Sequence, residues 1–164
     1  VFCLDYSGSM DGNGKEQLTD AMEYILDYNK ASKDKLQFSE FDKITVIPFG
    51  TKVYDLWNSN TGHDTSNLIN QIKEYDVGGT TALYDAIIEG IDILKDESDD
   101  YTKTIIAMTD GAVNVGSFDS LSNKYIETKP YFNSSSLVLS YELYLQIKLI
   151  VLFIIWSFIL SLLN

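Results

Sequence analysis

Val1-Phe2-Cys3-Leu4-Asp5-Tyr6-Ser7-Gly8-Ser9 is a short apolar run that ends on a carboxylate and two hydroxyls. Such a run, bounded by turn-forming residues, reads as a buried strand. Asp5, Ser7 and Ser9 then fall on the turn that leaves the strand, and Gly8 allows the bend that lets both serines face one point. A hard divalent ion such as Mg²⁺ prefers oxygen ligands in near-octahedral geometry and keeps several waters, so one acid with small hydroxyls suits it.

Two distant segments carry matching chemistry. Gly78-Gly79-Thr80-Thr81 precedes a helical pattern and offers a hydroxyl from a flexible loop, while Thr109-Asp110-Gly111 follows the apolar run Ile105-Ile106-Ala107-Met108 and offers a second carboxylate. Both acids end strands. In an open parallel sheet, ligands bind in the crevice outside the carboxyl ends of the strands, where separate segments converge. Read one at a time, the same residues are ordinary: Ser7 and Ser9 turn residues, Thr81 a helix N-cap, Asp110-Gly111 a turn. Their order and spacing together favour the joint reading.

With these three segments the chain resembles the von Willebrand factor type A (VWA) family, whose metal-ion-dependent adhesion site combines a DxSxS loop, a Thr in a Gly-rich loop and an Asp in a TDG-like turn. The resemblance covers residues 1 to about 130. It implies Asp5, Ser7, Ser9, Thr80 and Asp110 as metal residues, with Thr80 preferred to Thr81 because the family's liganding Thr directly follows the Gly pair. It implies Mg²⁺ as the cation, with Mn²⁺ or Ca²⁺ as alternatives, and an acidic side chain of a protein partner filling an open coordination position.

Among the 164 residues, 24 acids face 12 bases, all of them lysine, for a formal net charge of −12. That field repels nucleic acid and anionic lipid, so nucleic acid is excluded as a partner of the globular part. Most of these charges simply keep a single domain soluble. Cys3, the sole cysteine, rules out an intrachain disulfide and reads as a small buried hydrophobe. His63 reads as a solvated loop histidine.

Hydrophobic period supplies the rest of the fold. Leu18, Ala21, Met22, Ile25 and Leu26 predict a helix from about Lys15 to Asn29, entered through a capping box of Asn13 and Glu16. Ile44 to Phe49 predicts a core strand, and Val53 to Trp57 an antiparallel edge strand close behind it. A short helix from Thr65 to about Glu74, a helix built on Leu83, Ala86, Ile87, Gly90, Ile91 and Leu94, and a strand from Thr104 to Thr109 follow. This alternation predicts an α/β, doubly wound, mainly parallel sheet with one antiparallel edge strand and helices on both faces, a Rossmann-like fold.

Beyond residue 130 the composition changes. Residues 131–164 hold one acid, Glu142, and one base, Lys148; Leu149 to Leu163 is almost unbroken apolar apart from two serines, within a stretch counted from Leu143 to Leu163. Its length approaches the ~20 residues that span a bilayer, which predicts a transmembrane anchor through residues 143–163 and a membrane location where that tail is genuine, with a soluble chain in the cytoplasm or at the cell surface as the alternative. Two other readings stay open: an aberrant C-terminus arising from a frame change, or a buried helix. The domain organisation is therefore a VWA-like domain over 1–130, lacking the family's last elements and incomplete at that sheet edge, and a hydrophobic tail over 131–164. A start at Val1 inside a strand reads as a fragment.

The function these observations predict is metal-dependent protein binding, not catalysis. An Mg²⁺-dependent phosphoryl-transfer enzyme using Asp5 is the rival, but the haloacid-dehalogenase-like pattern needs a second Asp two residues on, where Ser7 stands. No P-loop or GxSxG elbow is present, and the chain has no arginine to clamp a phosphate. A scaffold with a vestigial site is the third reading.

Overall fold

The computed structural model describes residues 1–110 and 113–128 in full and the backbone of 135–140. Its strands are β1 (Phe2–Asp5), β2 (Ile44–Phe49), β3 (Trp57–Ser59), β4 (Lys103–Met108) and β5 (Ser135–Ser140), and its helices α1 (Asn13–Leu26), α2 (Tyr28–Ala31), α3 (Ser66–Glu74), α4 (Leu83–Lys95) and α5 (Phe118–Thr128). The strands form one open sheet in the order β3-β2-β1-β4-β5. All neighbours are parallel except β2 and β3. This is the doubly wound architecture with one antiparallel edge that the alternating pattern predicts. Among the described residues β5 is the last strand on its side.

Strand alternation divides the core into two layers. Phe2, Leu4, Ile44 and Val46 pack with Leu18, Met22 and Leu26 of α1 and Leu68 and Ile72 of α3. On the opposite face, Cys3, Ile47, Phe49, Ile105 and Ala107 pack with Leu83, Ala86, Ile87 and Ile91 of α4 and Leu121 of α5. Cys3 is fully buried, and its thiol lies 3.4 Å from the Ala86 carbonyl, as its place in an apolar strand requires.

Local chemistry moves several boundaries. Helix α1 begins at Asn13 with Gly12 as N-cap at φ 75°, so Asn13 does not cap it. It stops at Leu26 because Asp27 leaves helical geometry and its carboxylate takes the amides of Asn29 and Lys30, at 2.9 and 3.1 Å, to start α2. The antiparallel edge strand sits later than Val53 to Trp57. Val53 makes only an isolated bridge to Phe49, and the ladder forms where Trp57 pairs with Val46. Tyr54 and Leu56 are exposed, so the apolar character of that run does not reflect burial.

The transmembrane expectation is corrected. No helix among the described residues is long and apolar enough to cross a membrane. The longest, α1, has 14 residues and spans about 21 Å, short of the ~30 Å hydrocarbon core. It also carries Lys15, Glu16, Asp20 and Glu23. Residues 143–163, on which the anchor was expected, lie outside the described residues, and the expected membrane location loses its structural basis with the anchor.

Candidate functional site

The strand order reverses at β1. After β1 the chain crosses through α1 to β2 on one side, and later passes through α4 to β4 on the other. The register aligns Asp5 with Phe49 and Leu4 with Met108, so the carboxyl ends of the three central strands lie level. A crevice at such a switch point collects whatever the strand-end loops carry.

Here they carry oxygen. Asp5 Oδ1 accepts the Ser7 amide at 2.7 Å, and Ser7 Oγ lies 3.1 Å from Ser9 Oγ. Ser9 Oγ in turn donates to Asp110 Oδ1 at 2.8 Å. The other Asp5 oxygen, Oδ2, accepts from Thr109 Oγ1 at 2.5 Å. Asp5, Ser7 and Thr109 are buried, whereas Ser9, Thr80 and Asp110 are exposed, so the group runs from the sheet interior to solvent.

The Gly-rich loop is seated directly against this group. Gly78 donates its amide to the Tyr6 carbonyl at 2.7 Å, and Gly8 donates to the Gly79 carbonyl at 3.0 Å. A β-carbon at Gly8 would stand 3.3 Å from that carbonyl, so close approach, rather than the expected tight bend, is the reason for glycine there. Gly79 has φ 77°, and a β-carbon on it would meet Thr51 Oγ1 at 2.2 Å. The Thr80 amide donates to the same Thr51 Oγ1 at 3.2 Å. Of the five residues expected from the sequence, Asp5, Ser7, Ser9 and Asp110 are thus linked by hydrogen bonds. Thr80 reaches the same rim through its backbone, and its hydroxyl makes no described bond to the other four.

Burial pushes the Asp5 carboxyl above its ordinary value. Hydrogen bonds from Thr109 and Ser7 pull it back, and the nearby Asp110 pushes it up again. Among the described ion pairs, none involves Asp5 or Asp110. Two carboxylates therefore share one crevice with hydroxyls rather than lysines.

Three residues outside the expected set shape the site. Thr109 holds Asp5, Thr51 holds the Thr80 amide, and Asn114 Oδ1 accepts the Thr81 amide at 2.8 Å. Thr109 lay inside the motif that drew attention to Asp110, and its position at a strand end was the available signal. Thr51 and Asn114 act across long sequence separations and leave no local pattern.

No group of three or more His, Cys, Asp or Glu among the described residues is arranged to hold a metal ion. The expected partnership, which joined metal-mediated protein binding to a membrane anchor, is corrected in that combined form. Neither a cluster of such side chains nor a spanning helix lies within the described structure.

An open, mostly parallel sheet with helices on both faces and a polar crevice at its switch point defines a Rossmann-like α/β module. The chain belongs to the von Willebrand factor type A domain family, whose model matches residues 1–131. Domains of this family typically serve as non-catalytic adhesion and interaction modules.

The chain is 30% identical over 126 residues to inter-alpha-trypsin inhibitor heavy chain H3 of Bos taurus, a match covering 71% of this chain and 13% of that protein. It is similar in fold to the pilus adhesin SpaC of Lactobacillus rhamnosus GG, with TM-score 0.55 and 19% identity over 68% of this chain and 15% of that one. It is similar also to proximal thread matrix protein 1 of the mussel byssus, with TM-score 0.57 and 18% identity over 85% of this chain and 34% of that one. The chain thus spans only a small part of the relatives it matches.

Proposed function

We propose that this domain is a cation-dependent protein-binding module, and that Asp5, Ser7, Ser9, Thr80 and Asp110 hold a hydrated divalent cation, Mg²⁺ in the first instance with Mn²⁺ or Ca²⁺ as alternatives. The supporting observation is the hydrogen-bonded chain from buried Asp5, through the Ser7 amide and the Ser7 and Ser9 hydroxyls, to exposed Asp110. Two carboxylates with hydroxyls match the donors that Mg²⁺ accepts without an all-protein cage, its remaining positions being taken by water. When bound, the cation supplies a fixed positive centre on an otherwise acidic surface. Asp5 and Asp110 balance that charge, and burial of Asp5 against Thr109 keeps its oxygens in place.

A phage-displayed random-peptide library panned on the immobilised domain in Mg²⁺ tests the reading. Clones should release on chelation and fail to bind Asp5→Asn. Clones that bind equally in chelator and in Mg²⁺ would sink the proposal.

A further inference from the structure

The loop bearing Thr80 is held by the β1 turn through Tyr6 and Gly8, and by the segment after β2 through Gly50 and Thr51. Its third attachment is to the segment that carries Asp110. The Asn114 and Val115 amides both donate to the Thr81 carbonyl at 3.3 Å. In the opposite direction, the Thr81 amide donates to Asn114 Oδ1 at 2.8 Å. Thr81, one position beyond Thr80, is thus gripped on both its peptide groups by Asn114, four positions beyond Asp110.

We infer that Asn114 is a positioning residue for the strand-end site, fixing the distance between the Thr80 loop and the Asp110 loop without touching the cation. The inference rests on the reading of that site as a cation site. Thr51 also steadies Thr80, but it ties the loop to a segment that carries none of the site's carboxylates. Among the described residues, Asn114 is the side chain that joins the Gly-rich loop to the segment bearing Asp110. Cutting it back leaves the two backbone bonds to the Thr81 carbonyl and removes the acceptor for the Thr81 amide. The two loops then stay in contact but lose a defined spacing. Outer residues that orient metal ligands in this way typically change affinity by 10–100-fold when lost.

The test is a titration of thermal midpoint against MgCl₂ for the wild type, Asn114→Ala and Asn114→Asp, each also melted in chelator. Asn114→Ala should raise the half-saturating Mg²⁺ concentration about tenfold. Asn114→Asp keeps an acceptor at the same place and should stay near the wild-type value. If Asn114→Ala does not fold, Asn114→Gln, which moves the amide by one methylene, replaces it in the same titration. A lower midpoint in chelator with unchanged half-saturation would mean that Asn114 is merely structural and would overturn the inference. An equal loss of affinity in Asn114→Asp would overturn it too. A wild-type midpoint that ignores Mg²⁺ altogether would instead remove the underlying cation reading.

Discussion

Ser9 Oγ and Asp110 Oδ1 lie 2.8 Å apart although 101 positions of sequence separate them. Nothing in either segment alone requires that meeting. It follows from β1 lying next to β4 in parallel, which brings both strand-end loops to one rim. The hydrogen bond therefore reports the topology, and it places the second carboxylate on the first one's hydroxyl neighbours.

Asp5→Asn separates the charge of Asp5 from its shape. Burial and Asp110 both oppose the charged form of Asp5, so the neutral amide should melt at or above the wild type in chelator. In Mg²⁺ the order should invert, because a ligand at 100 times its dissociation constant adds about 2.7 kcal/mol to the protein that binds it. Calorimetric melts with and without MgCl₂ check both halves. A Mg²⁺-dependent rise in Asp5→Asn as large as in the wild type would contradict the assignment.

Tyr6→Phe tests how the β1 turn is fastened to α3. The Tyr6 hydroxyl donates to the Ile72 carbonyl at 3.0 Å, one of the last carbonyls of that helix, which have no partner within it. Removing the hydroxyl leaves the buried carbonyl without this donor and should cost about 1–2 kcal/mol in a urea unfolding curve. An unchanged midpoint would show that water takes the place of the hydroxyl.

Gly79→Ala and Gly78→Ala should behave differently despite being adjacent. Gly79 sits at φ 77° with Thr51 Oγ1 in the way of a β-carbon, and alanine there should cost about 1–3 kcal/mol. At Gly78 a β-carbon would meet nothing within 4 Å, so the change should stay within about 0.5 kcal/mol. Paired denaturation curves decide it. Equal losses would mean that the loop responds to glycine content rather than to geometry.

Glu23 provides an acid-sensitive fastening between helices. Lys30 hydrogen-bonds its carboxylate, and Lys73 of α3 reaches it at 2.5 Å. These bonds hold the Glu23 pKa at about 2, below the ordinary 4.5. Because the folded value is depressed, the stabilisation is present above pH 4.5 and is lost as pH falls toward about 2. Glu23→Gln should flatten the stability profile across that window, with an effect that shrinks in high salt because the group is partly exposed. Melts from pH 2 to 6 read the slope, and superimposable profiles for the two proteins would refute the role.

Much of this fold is legible in its sequence because burial follows a period. The apolar runs before Asp5 and Asp110 place both acids at strand ends, and the stripe from Leu83 to Leu94 marks α4. The period fails where apolar residues are not buried. Tyr54 and Leu56 misplace the edge strand, and α5 buries Leu121 while exposing Phe118 and Ile126, so its stripe is weak. Helix entry was misread at Asn13 because a glycine at positive φ can begin a helix with no side-chain cap. At the site, residue types mark Asp5, Ser7, Ser9 and Asp110. The side chains that hold the Thr80 loop, Thr51 and Asn114, are defined only by tertiary hydrogen bonds.

The strand nearest the amino end occupies the middle of the sheet, and the acid on its tip must wait for a partner 104 positions later in Thr109. A nascent chain that has emerged only through β3 can build one half of the sheet, yet it holds one carboxylate of the pair. Closing so long a loop is slow and comes late in folding. Any capacity that needs both acids therefore requires β4 to be in place.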